Sequence, residues 1–377
     1  MATRIYTGVD EKARKVKRIY VGVNGKARSV KAVYVGVNGK ARLCWRKNGI
    51  YKYTGSINGL TNAKYGSAAS TIKNYALFGG GRTLAKECYS TVDVYDSSLA
   101  KRTAADLNVS RSHLAAATVG YYVLFGGGKD SSNYNVKTVE SYDFSLSKTV
   151  LTDLSWGRSL LSATTVGQYA IFAGGGYDNG NAVDAYHARG VKIVLADLSN
   201  GKYSLGAATV GNYALFGGGH ASSGGTDVYS TVDAYDSSQV KTTAKNFNIA
   251  RYEVGATGVG NYAIFAGGVD SSGYTVKNVD AYDSSLVKIT IADLPTTRWA
   301  MQGTTLGNYA IFNGDEFDNY SIIYDSSLTQ TKATGLIEHP YYTAATTVGN
   351  YALFGGGRDA KNKNQYATVD AFYEYTD

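Results

Sequence analysis

The sequence predicts an all-β protein in which seven four-stranded units close into a ring, a seven-bladed β-propeller. The first observation is a motif, Tyr-x-x-Phe followed by a Gly cluster, which occurs seven times and begins at Tyr75, Tyr122, Tyr169, Tyr213, Tyr262, Tyr309 and Tyr351. The second is the separation of successive copies, 42 to 49 residues, which is the period of propeller blades rather than of helical repeats. The third is the alternation of apolar and polar residues along each copy, which is typical of strands, without a helical period.

Each unit is predicted to contain four strands joined by recurring turns. The first strand carries small residues, as at 115–119, and a Val-Gly-Asn-Tyr turn leads into the second, Tyr-Ala-Leu/Ile-Phe. The third carries Thr-Val-Asp-Ala-Tyr-Asp, as at 231–236, and an Asp-Ser-Ser turn precedes a fourth strand that ends near Ala-Asp-Leu. The Gly clusters that follow the second strands permit close approach of neighbouring backbone. A phosphate-binding loop would need a helix directly after the glycines, and no helical pattern follows any copy.

The ring is predicted to close by sharing one blade between the two ends of the sequence. The last unit stops after its third strand, near 369–373, and the missing fourth strand is available at about 50–60. Residues 50–377 then hold seven whole blades, and the closing blade removes an exposed sheet edge. We therefore expect two modules, an N-terminal arm at 1–49 and a propeller at 50–377.

Composition and length exclude several other classes of protein. The chain has 377 residues, including 45 Gly, 33 Tyr, 2 Pro and 2 Cys. The Gly residues lack a Gly-X-Y period, which excludes collagen, and two Cys cannot build a disulfide framework. No stretch approaches the ~20 apolar residues of a membrane span, and residues 1–25 lack the apolar core of a secretion signal. We expect neither membrane insertion nor a signal peptide.

The propeller units resemble kelch repeats. The resemblance rests on the Phe-Gly-Gly-Gly strand ends with a Tyr-Asp further on, and it covers residues 50–377. It implies a propeller fold, and fold alone does not fix function. Kelch blades usually carry a Trp in the fourth strand, where this chain has Thr149, Val240 and Ile289. Packing between blades must therefore differ from the common kelch type.

The arm repeats with a period of its own. Three similar segments, at 4–14, 18–28 and 32–42, are spaced by 14 residues, and Asn-Gly pairs between alternating residues predict hairpins. The arm has a net charge of +11, whereas the propeller has −3. A basic segment can bind nucleic acid, but this one is regular, punctuated by turns and poor in stacking aromatics, so nucleic acid is not the expected partner.

The arm repeats, Val-Tyr-Val-Gly-Val-Asn-Gly-Lys-Ala-Arg, resemble segments near the ends of virion and tail-associated proteins of phages and prophages of Gram-positive gut bacteria. This resemblance covers residues 1–49 only. It implies that the arm binds other virion proteins or forms a homo-oligomer such as a trimer, and that the propeller is displayed. The expected location is the virion, with the cytoplasm as the alternative.

One predicted binding feature is a set of basic residues that recurs in the connection between fourth and first strands. It comprises Lys64, Arg111, Arg158, Lys202, Arg251 and Arg298. If these side chains ring the mouth of the central channel, they form a focused anion site, and kelch domains often hold acidic peptides with basic residues at this connection. In the alternative interpretation each side chain bonds loop carbonyls or a nearby acid. Acids recur in the third strands as scaffold residues: Asp93, Glu140, Asp184, Asp233, Asp280 and Asp370.

The second predicted binding feature is the set of loops between second and third strands, which vary in length and content. Variable loops on a regular scaffold are where binding is usually built, although they can also be solvated loops without a role. From these loops we select as candidate ligand-binding residues Tyr134, Tyr177, His220, Tyr274 and Arg358.

Catalysis has little support in the sequence. The four His lie in different blades without metal-ligand spacing, and no carboxylate pair singles itself out. We expect no catalytic residue, metal or cofactor. The predicted function is binding of a bacterial surface ligand, an anionic glycan, by a virion component. The alternatives are an adaptor that binds an acidic protein segment and, third, a propeller enzyme that acts on sugars.

Overall fold

The computed structural model describes residues 49–375, apart from 54–56, 177–178, 222–226, 315–319, 335–340 and 360, and six strands ahead of them. The chain divides into two compact units, Met1–Tyr51 with Tyr373–Asp377, and Lys52–Phe372. All regular elements in the described part of the chain are strands, so the predicted all-β class is confirmed. None of the described residues belongs to a helix long and apolar enough to cross a membrane.

The N-terminal repeats form three antiparallel hairpins, as the 14-residue period predicts. Their strands are Tyr6–Val9 with Lys12–Lys15, Tyr20–Val23 with Lys26–Ser29, and Ala32–Val37 with Lys40–Arg46. The third hairpin contains a register shift between Val33 and Tyr34. The Asn-Gly pairs that predicted the turns lie outside the described residues.

The remaining strands form the seven blades of a β-propeller, each a four-stranded antiparallel sheet. The first strands, which line the central channel, are Ala68–Ile72, Ala115–Val119, Ser162–Val166, Gly206–Val210, Gly255–Val259, Gln302–Leu306 and Ala344–Val348. The second strands are Tyr75–Gly79, Tyr122–Gly126, Tyr169–Ala173, Tyr213–Gly217, Tyr262–Ala266, Tyr309–Asn313 and Tyr351–Gly355. The third strands are Val92–Asp96, Val139–Asp143, Val183–His187, Val232–Asp236, Val279–Asp283, Tyr320–Asp325 and Val369–Tyr375. The fourth are Lys101–Thr103, Lys148–Leu151, Lys192–Val194, Lys241–Ala244, Lys288–Ile289, Gln330–Thr334 and Gly49–Lys52.

We number the blades 1 to 7 in the order of their first strands. Blade 7 takes three strands from the end of the sequence and its fourth from Gly49–Lys52, so the predicted shared blade is confirmed. The closing strand is shorter than the predicted 50–60. Next to it, Tyr53 N–H donates to Ala371 O over 2.8 Å, and Lys52 pairs with Asp370.

Adjacent blades are joined by an apolar layer in which a tyrosine takes a recurring position. Between blades 2 and 3 the layer contains Leu124, Leu161, Phe172 and Tyr186, all buried. The rings of Phe172 and Tyr186 meet edge to face at 5.8 Å, and the Tyr186 hydroxyl donates to Thr152 O over 2.7 Å. The same bond to the preceding connection is made by Tyr95, Tyr142, Tyr235, Tyr282 and Tyr324.

Two of the glycines in blade 2 show what the Gly clusters do. A Cβ on Gly126 would lie 2.8 Å from the Phe172 ring of blade 3, so the side chain is missing where the next blade packs. Gly127 has a φ of +70°, a conformation that side chains disfavour, and a Cβ there would meet Arg158 O at 2.6 Å. The structural interpretation of the Gly clusters is therefore confirmed at these positions.

Candidate functional site

The propeller has two ends with different connections. We call the end with the short turns between first and second and between third and fourth strands the turn face. The other end carries the connections from second to third and from fourth to first strands, and we call it the loop face. Both sets of candidate ligand-binding residues belong to connections of the loop face.

The six recurring basic residues are buried inside the blades and do not form an exposed ring. Lys64, Arg111, Arg158, Lys202, Arg251 and Arg298 are each 0 or 1% exposed. Five of them meet the acid in the third strand of the blade that follows. Arg111 contacts Glu140 at 2.7 Å and Arg158 contacts Asp184 at 2.6 Å. The equivalent pairs are Lys64–Asp93, Lys202–Asp233 and Arg251–Asp280.

Each of these five acids also contacts a lysine from the fourth strand of its own blade. In blade 3, Asp184 lies between Arg158 and Lys192, which it contacts at 3.0 Å. The other four lysines are Lys101, Lys148, Lys241 and Lys288. Blade 6 lacks this acid, because Ile322 takes its position, and Arg298 lies 4.8 Å from the centre of the Tyr320 ring.

Burial has a clear physical consequence for these ions. It lowers the pKa of Lys64 and of Lys202, even though each faces an aspartate. Because all six residues are buried, and five of them are paired with acids within the blades, the prediction that they form an exposed anion site at the channel mouth is wrong. The alternative interpretation, that they bond nearby acids and carbonyls, is the one that the structure shows. Arg158, for instance, also donates to Phe172 O over 3.2 Å.

The channel mouth is formed by the residues two positions further along each connection. They are Gly66, His113, Leu160, Ser204, Glu253, Ala300 and Tyr342, one ahead of each blade, and all seven have a φ between 48° and 65°. Each N–H donates to the carbonyl of the preceding residue in this set, as His113 N does to Gly66 O over 2.6 Å. The circle closes where Gly66 N donates to Tyr342 O over 3.3 Å. We call this closed circle of seven backbone hydrogen bonds the amide ring.

Six of the seven residues in the amide ring are not glycine, although left-handed backbone costs a side chain roughly 1–2 kcal/mol. Strain of this kind persists only where the surroundings impose it, and it occurs most often at functional sites. The amide ring surrounds a channel cavity of about 630 Å³. Small residues of the first strands line its walls, and their hydroxyls are bonded between blades, as between Thr164 and Thr209 at 2.7 Å.

An aromatic belt follows part of the amide ring and includes one of its members, Tyr342. It consists of Tyr65, Tyr203, His220, Tyr252, Trp299, Tyr341 and Tyr342. His220 lies between Tyr203 at 5.3 Å and Tyr252 at 5.2 Å, and Trp299 packs on Tyr341 at 4.9 Å. Tyr65 and Tyr341 are buried, whereas the other five members are half-buried and expose part of their rings. Serines take the equivalent positions in blades 2 and 3, so the belt covers one side of the mouth.

A carboxyl, a phenol and an imidazole meet at the mouth. The Tyr342 hydroxyl donates to Glu253 Oε1, and the rings of Tyr342 and His113 lie 6.2 Å apart. Tyr342 reaches both partners because the residues on either side of it in the amide ring, Ala300 and Gly66, are small. Burial raises the pKa of Glu253, and Glu253 Oε2 is buried without a hydrogen-bond partner among the described residues. Burial together with nearby cations lowers the pKa of His113 well below its usual range, so the imidazole is neutral at pH 7.

The nearby cations stand at one repeated position, directly after a Gly cluster. They are Arg82 in blade 1, Lys129 in blade 2 and Arg358 in blade 7. The guanidinium carbons of Arg82 and Arg358 lie 5.2 and 5.3 Å from the centre of the Tyr65 ring. In the described residues none of the three has an acid within ion-pair distance, in contrast to the buried five. Three consecutive blades thus bring cations to one side of the mouth.

The predicted loop residues lie in different surroundings. Tyr134 and Tyr274 are 74% and 72% exposed, at the tips of loops in which Asp130 and Asp270 accept from backbone N–H groups. His220 belongs to the aromatic belt. Arg358 packs on Tyr65 and Tyr342 at the mouth. Tyr177 lies outside the described residues.

The sequence analysis did not select Glu253, Tyr342, His113, Arg82 or Lys129. The amide ring has a different residue in every blade, so no repeated letter marked it. Arg82 and Lys129 follow Gly clusters just as Arg358 does, and that shared position was a usable signal. No group of three or more His, Cys, Asp or Glu within the described ranges could hold a metal ion.

No protein-family model matches the chain, and no curated protein sequence matches it.

Proposed function

We propose that this protein is a non-enzymatic binding protein whose loop face recognises a glycan on a bacterial surface. In this proposal the arm at residues 1–49 attaches the propeller to a larger assembly, a phage or prophage virion of the kind that its repeats resemble. The propeller is of the kelch-like kind in its Gly and Tyr-Asp motifs. The observation that carries the binding role is the aromatic belt around the mouth of the channel.

The aromatic belt matches the chemistry of sugars. A pyranose ring has faces of C–H groups and a rim of hydroxyls, and a Tyr or Trp ring has a flat apolar face and a polar atom at its edge. Trp299, Tyr252 and Tyr203 are held by ring contacts with their neighbours, so little side-chain entropy is lost when they bind a ligand. Bonded hydroxyls and a buried carboxyl complete the polar part of such a site.

Binding is favoured over hydrolysis by the number of carboxyls at the mouth. Glycoside hydrolysis usually needs two carboxyls flanking the scissile bond. The described residues that line the channel include one, Glu253. The adaptor function has support of its own, since the three cations of blades 7, 1 and 2 could hold an acidic protein segment.

The proposal is tested by screening the whole protein against bacterial cell-wall and capsule glycans. We expect binding that Trp299→Ala or Tyr252→Ala weakens about tenfold or more, because buried aromatic contacts dominate binding energy. The matched control is Tyr121→Ala, which removes a 61% exposed aromatic side chain from the turn face. Equal binding by all three variants would refute the role of the aromatic belt, and binding to acidic peptides alone would favour the adaptor.

The role of the arm is tested by light scattering, which compares the full chain with a chain that begins at residue 49. We expect a trimer only for the full chain.

A further inference from the structure

The two sides of the channel mouth differ in charge. Arg358, Arg82 and Lys129 come from three neighbouring blades, each directly after a Gly cluster, and backbone bridges fix them beside the mouth. Tyr341 pairs with Arg358, Tyr65 with Arg82, and Ser112 with Lys129. Glu253 lies ahead of blade 5, on the other side. The mouth therefore has cations on one side and a carboxyl on the other.

The three cations lie close enough together to act on one group. Arg82 and Arg358 both pack against the Tyr65 ring, and that ring lies 6.1 Å from His113. The pKa of His113 is lowered by burial and then by Arg82, Lys129 and Arg358 together. Burial and Arg82 likewise lower the pKa of Lys129. The three cations therefore act together at this side of the mouth, and Arg358 also acts on the carboxyls of Glu253 and Asp359.

The cations are only partly engaged by their own surroundings. Arg358 donates to Asp359 O over 3.3 Å and to Asn362, and Arg82 stacks on Tyr65. The Asp359 carboxylate accepts from Lys363 N and Asn364 N, within its own loop. All three cations are half-buried, so they keep access to solvent at the mouth.

The carboxyl on the other side is also incompletely bonded. Tyr342 bonds one oxygen of Glu253, and the other, Oε2, has no hydrogen-bond partner among the described residues although it is buried. A buried polar atom without a partner destabilises the protein, and a ligand hydroxyl that bonds this atom would offset that cost. Tyr342 touches both sides, since Arg358 lies 4.9 Å from its ring centre. Arg358 and Glu253 thus contact the same tyrosine side chain, one at its ring and the other at its hydroxyl.

We propose that the channel mouth binds an acidic sugar residue, with its carboxylate or phosphate held by Arg82, Lys129 and Arg358 and a hydroxyl held by Glu253 and Tyr342. The inference rests on the proposed glycan-binding function and names the part of the glycan that the mouth selects. Arginine suits this task because its planar fork donates two parallel hydrogen bonds to a carboxylate or phosphate.

The test compares three small probes by calorimetry on the full chain: sodium glucuronate, glucose 6-phosphate and glucose. We expect at least one acidic sugar to bind about tenfold or more tightly than glucose, because a charge-assisted hydrogen bond is worth more than a neutral one. Tighter binding of glucuronate indicates that the site takes a carboxylate, and tighter binding of glucose 6-phosphate indicates that it takes a phosphate. An affinity for glucose equal to that for both acids would overturn the proposal.

Variants locate the binding. Arg82→Gln and Arg358→Gln are each expected to lower the affinity for the preferred acid about tenfold, whereas Arg189→Gln, an equal charge change on the turn face, leaves it unchanged. Glu253→Ala is expected to lower the affinity for the acidic sugar and to leave the affinity for inorganic phosphate unchanged. Alanine fits this backbone, because Ala300 has the same conformation in blade 6. Equal losses in Arg189→Gln and Arg82→Gln would also overturn the proposal.

A spectroscopic readout separates this site from the wider glycan function. Nuclear magnetic resonance of the His113 ring, assigned with His113→Asn, should show its pKa rising when the acid binds, because the ligand neutralises Arg82, Lys129 and Arg358. If neutral glycans bind through the aromatic belt but acidic sugars leave the pKa of His113 unchanged, the proposal of an acidic-sugar site is wrong and the proposed function stands. If acids raise the pKa of His113 but the protein binds none of the screened surface glycans, the acidic-sugar site stands and the proposed function is wrong.

Discussion

Asp93 illustrates the buried ions at the level of single residues. Its carboxylate is 1% exposed and contacts Lys64 at 3.0 Å and Lys101 at 2.8 Å. Burial alone would raise the pKa of Asp93, but Lys64, Lys101 and Thr61 together outweigh it and hold the pKa at about 2. Removing one member of a buried ion pair leaves the others uncompensated, and this typically costs about 3–5 kcal/mol.

We therefore predict that Asp93→Asn loses about 3 kcal/mol or more of unfolding free energy at pH 7, measured by urea titration. The pH dependence has a definite sign, because the folded pKa of Asp93 lies below the ordinary value of 3.8. Its stabilisation is complete above that value and is lost as the pH falls towards about 2, so the variant should lack this part of the acid transition. The control is Asp153→Asn, which breaks the exposed pair with Lys137 and should cost about 1 kcal/mol or less. Similar losses in both variants would contradict the prediction.

For single residues, the sequence showed which residue types recur from blade to blade but not whether their side chains are buried or exposed. The six basic residues and the third-strand acids were visible as repeated letters, but the pairing of five of them depends on the distance between a connection and a strand some 26 to 31 residues later. Glu253 and Tyr342 could not be found, because they share a backbone position and no chemical property. Repetition in sequence marked the scaffold, whereas Glu253 and Tyr342 occupy a position at which every blade has a different residue.

At the scale of structural elements, turns of adjacent blades pack against each other on the turn face. The glycine between first and second strands of one blade packs against the Ser of the Asp-Ser-Ser turn in the next. A Cβ on Gly211, with φ +52°, would lie 2.7 Å from Ser284 Cβ. Gly167–Ser237, Gly260–Ser326 and Gly349–Ser97 repeat the contact. Blade 1 has Lys73 instead of glycine, and its ammonium lies 4.0 Å from the centre of the Phe144 ring, which replaces the serine of blade 2.

We predict that Gly211→Ala destabilises the protein by about 2 kcal/mol or more, since it adds a clash to the backbone strain. Gly273→Ala is the matched control, because Gly273 has φ +78° and a Cβ added there would meet nothing within 4 Å. The control should cost about 1 kcal/mol, from left-handed backbone alone. Thermal unfolding of the two variants measures the difference, and equal midpoints would show that the contact with Ser284 contributes nothing.

Most strands were predictable because alternation and turn residues mark them locally. The closing strand shows the limit of this signal. Its position after the arm followed from counting blades, but the strand ends at Lys52. Among the described residues beyond it, Tyr53 N bonds Ala371 O and Leu60 N bonds Ala367 O. The end of a strand depends on the partner strand, which lies more than 300 residues away in sequence.

For the whole propeller, closure occurs twice. The outer closure is the fourth strand of blade 7, supplied from Gly49–Lys52, and the inner closure is the amide ring around the channel. Since each amide of the ring bonds to the preceding blade, opening one of them requires two blades to separate.

We predict that the ring amides of His113, Leu160, Ser204 and Glu253 exchange with solvent deuterium only through global unfolding, so their opening free energy equals that of the whole propeller. Amides in the outermost strands, such as Lys101–Thr103, should exchange faster through local opening. Native-state hydrogen exchange measured by nuclear magnetic resonance provides both values. Faster exchange in the ring than in the outermost strands would show that the ring opens without disrupting the blades.

The amide ring also bears on how the protein can adapt. The bonds that hold it belong to N–H and C=O groups, which every amino acid except proline can supply. The side chains at these seven positions can therefore change one at a time while the circle persists, as the present set from Gly66 to Tyr342 illustrates. Such an arrangement makes the ligand preference of the mouth adjustable by point substitution, on a support that need not be rebuilt.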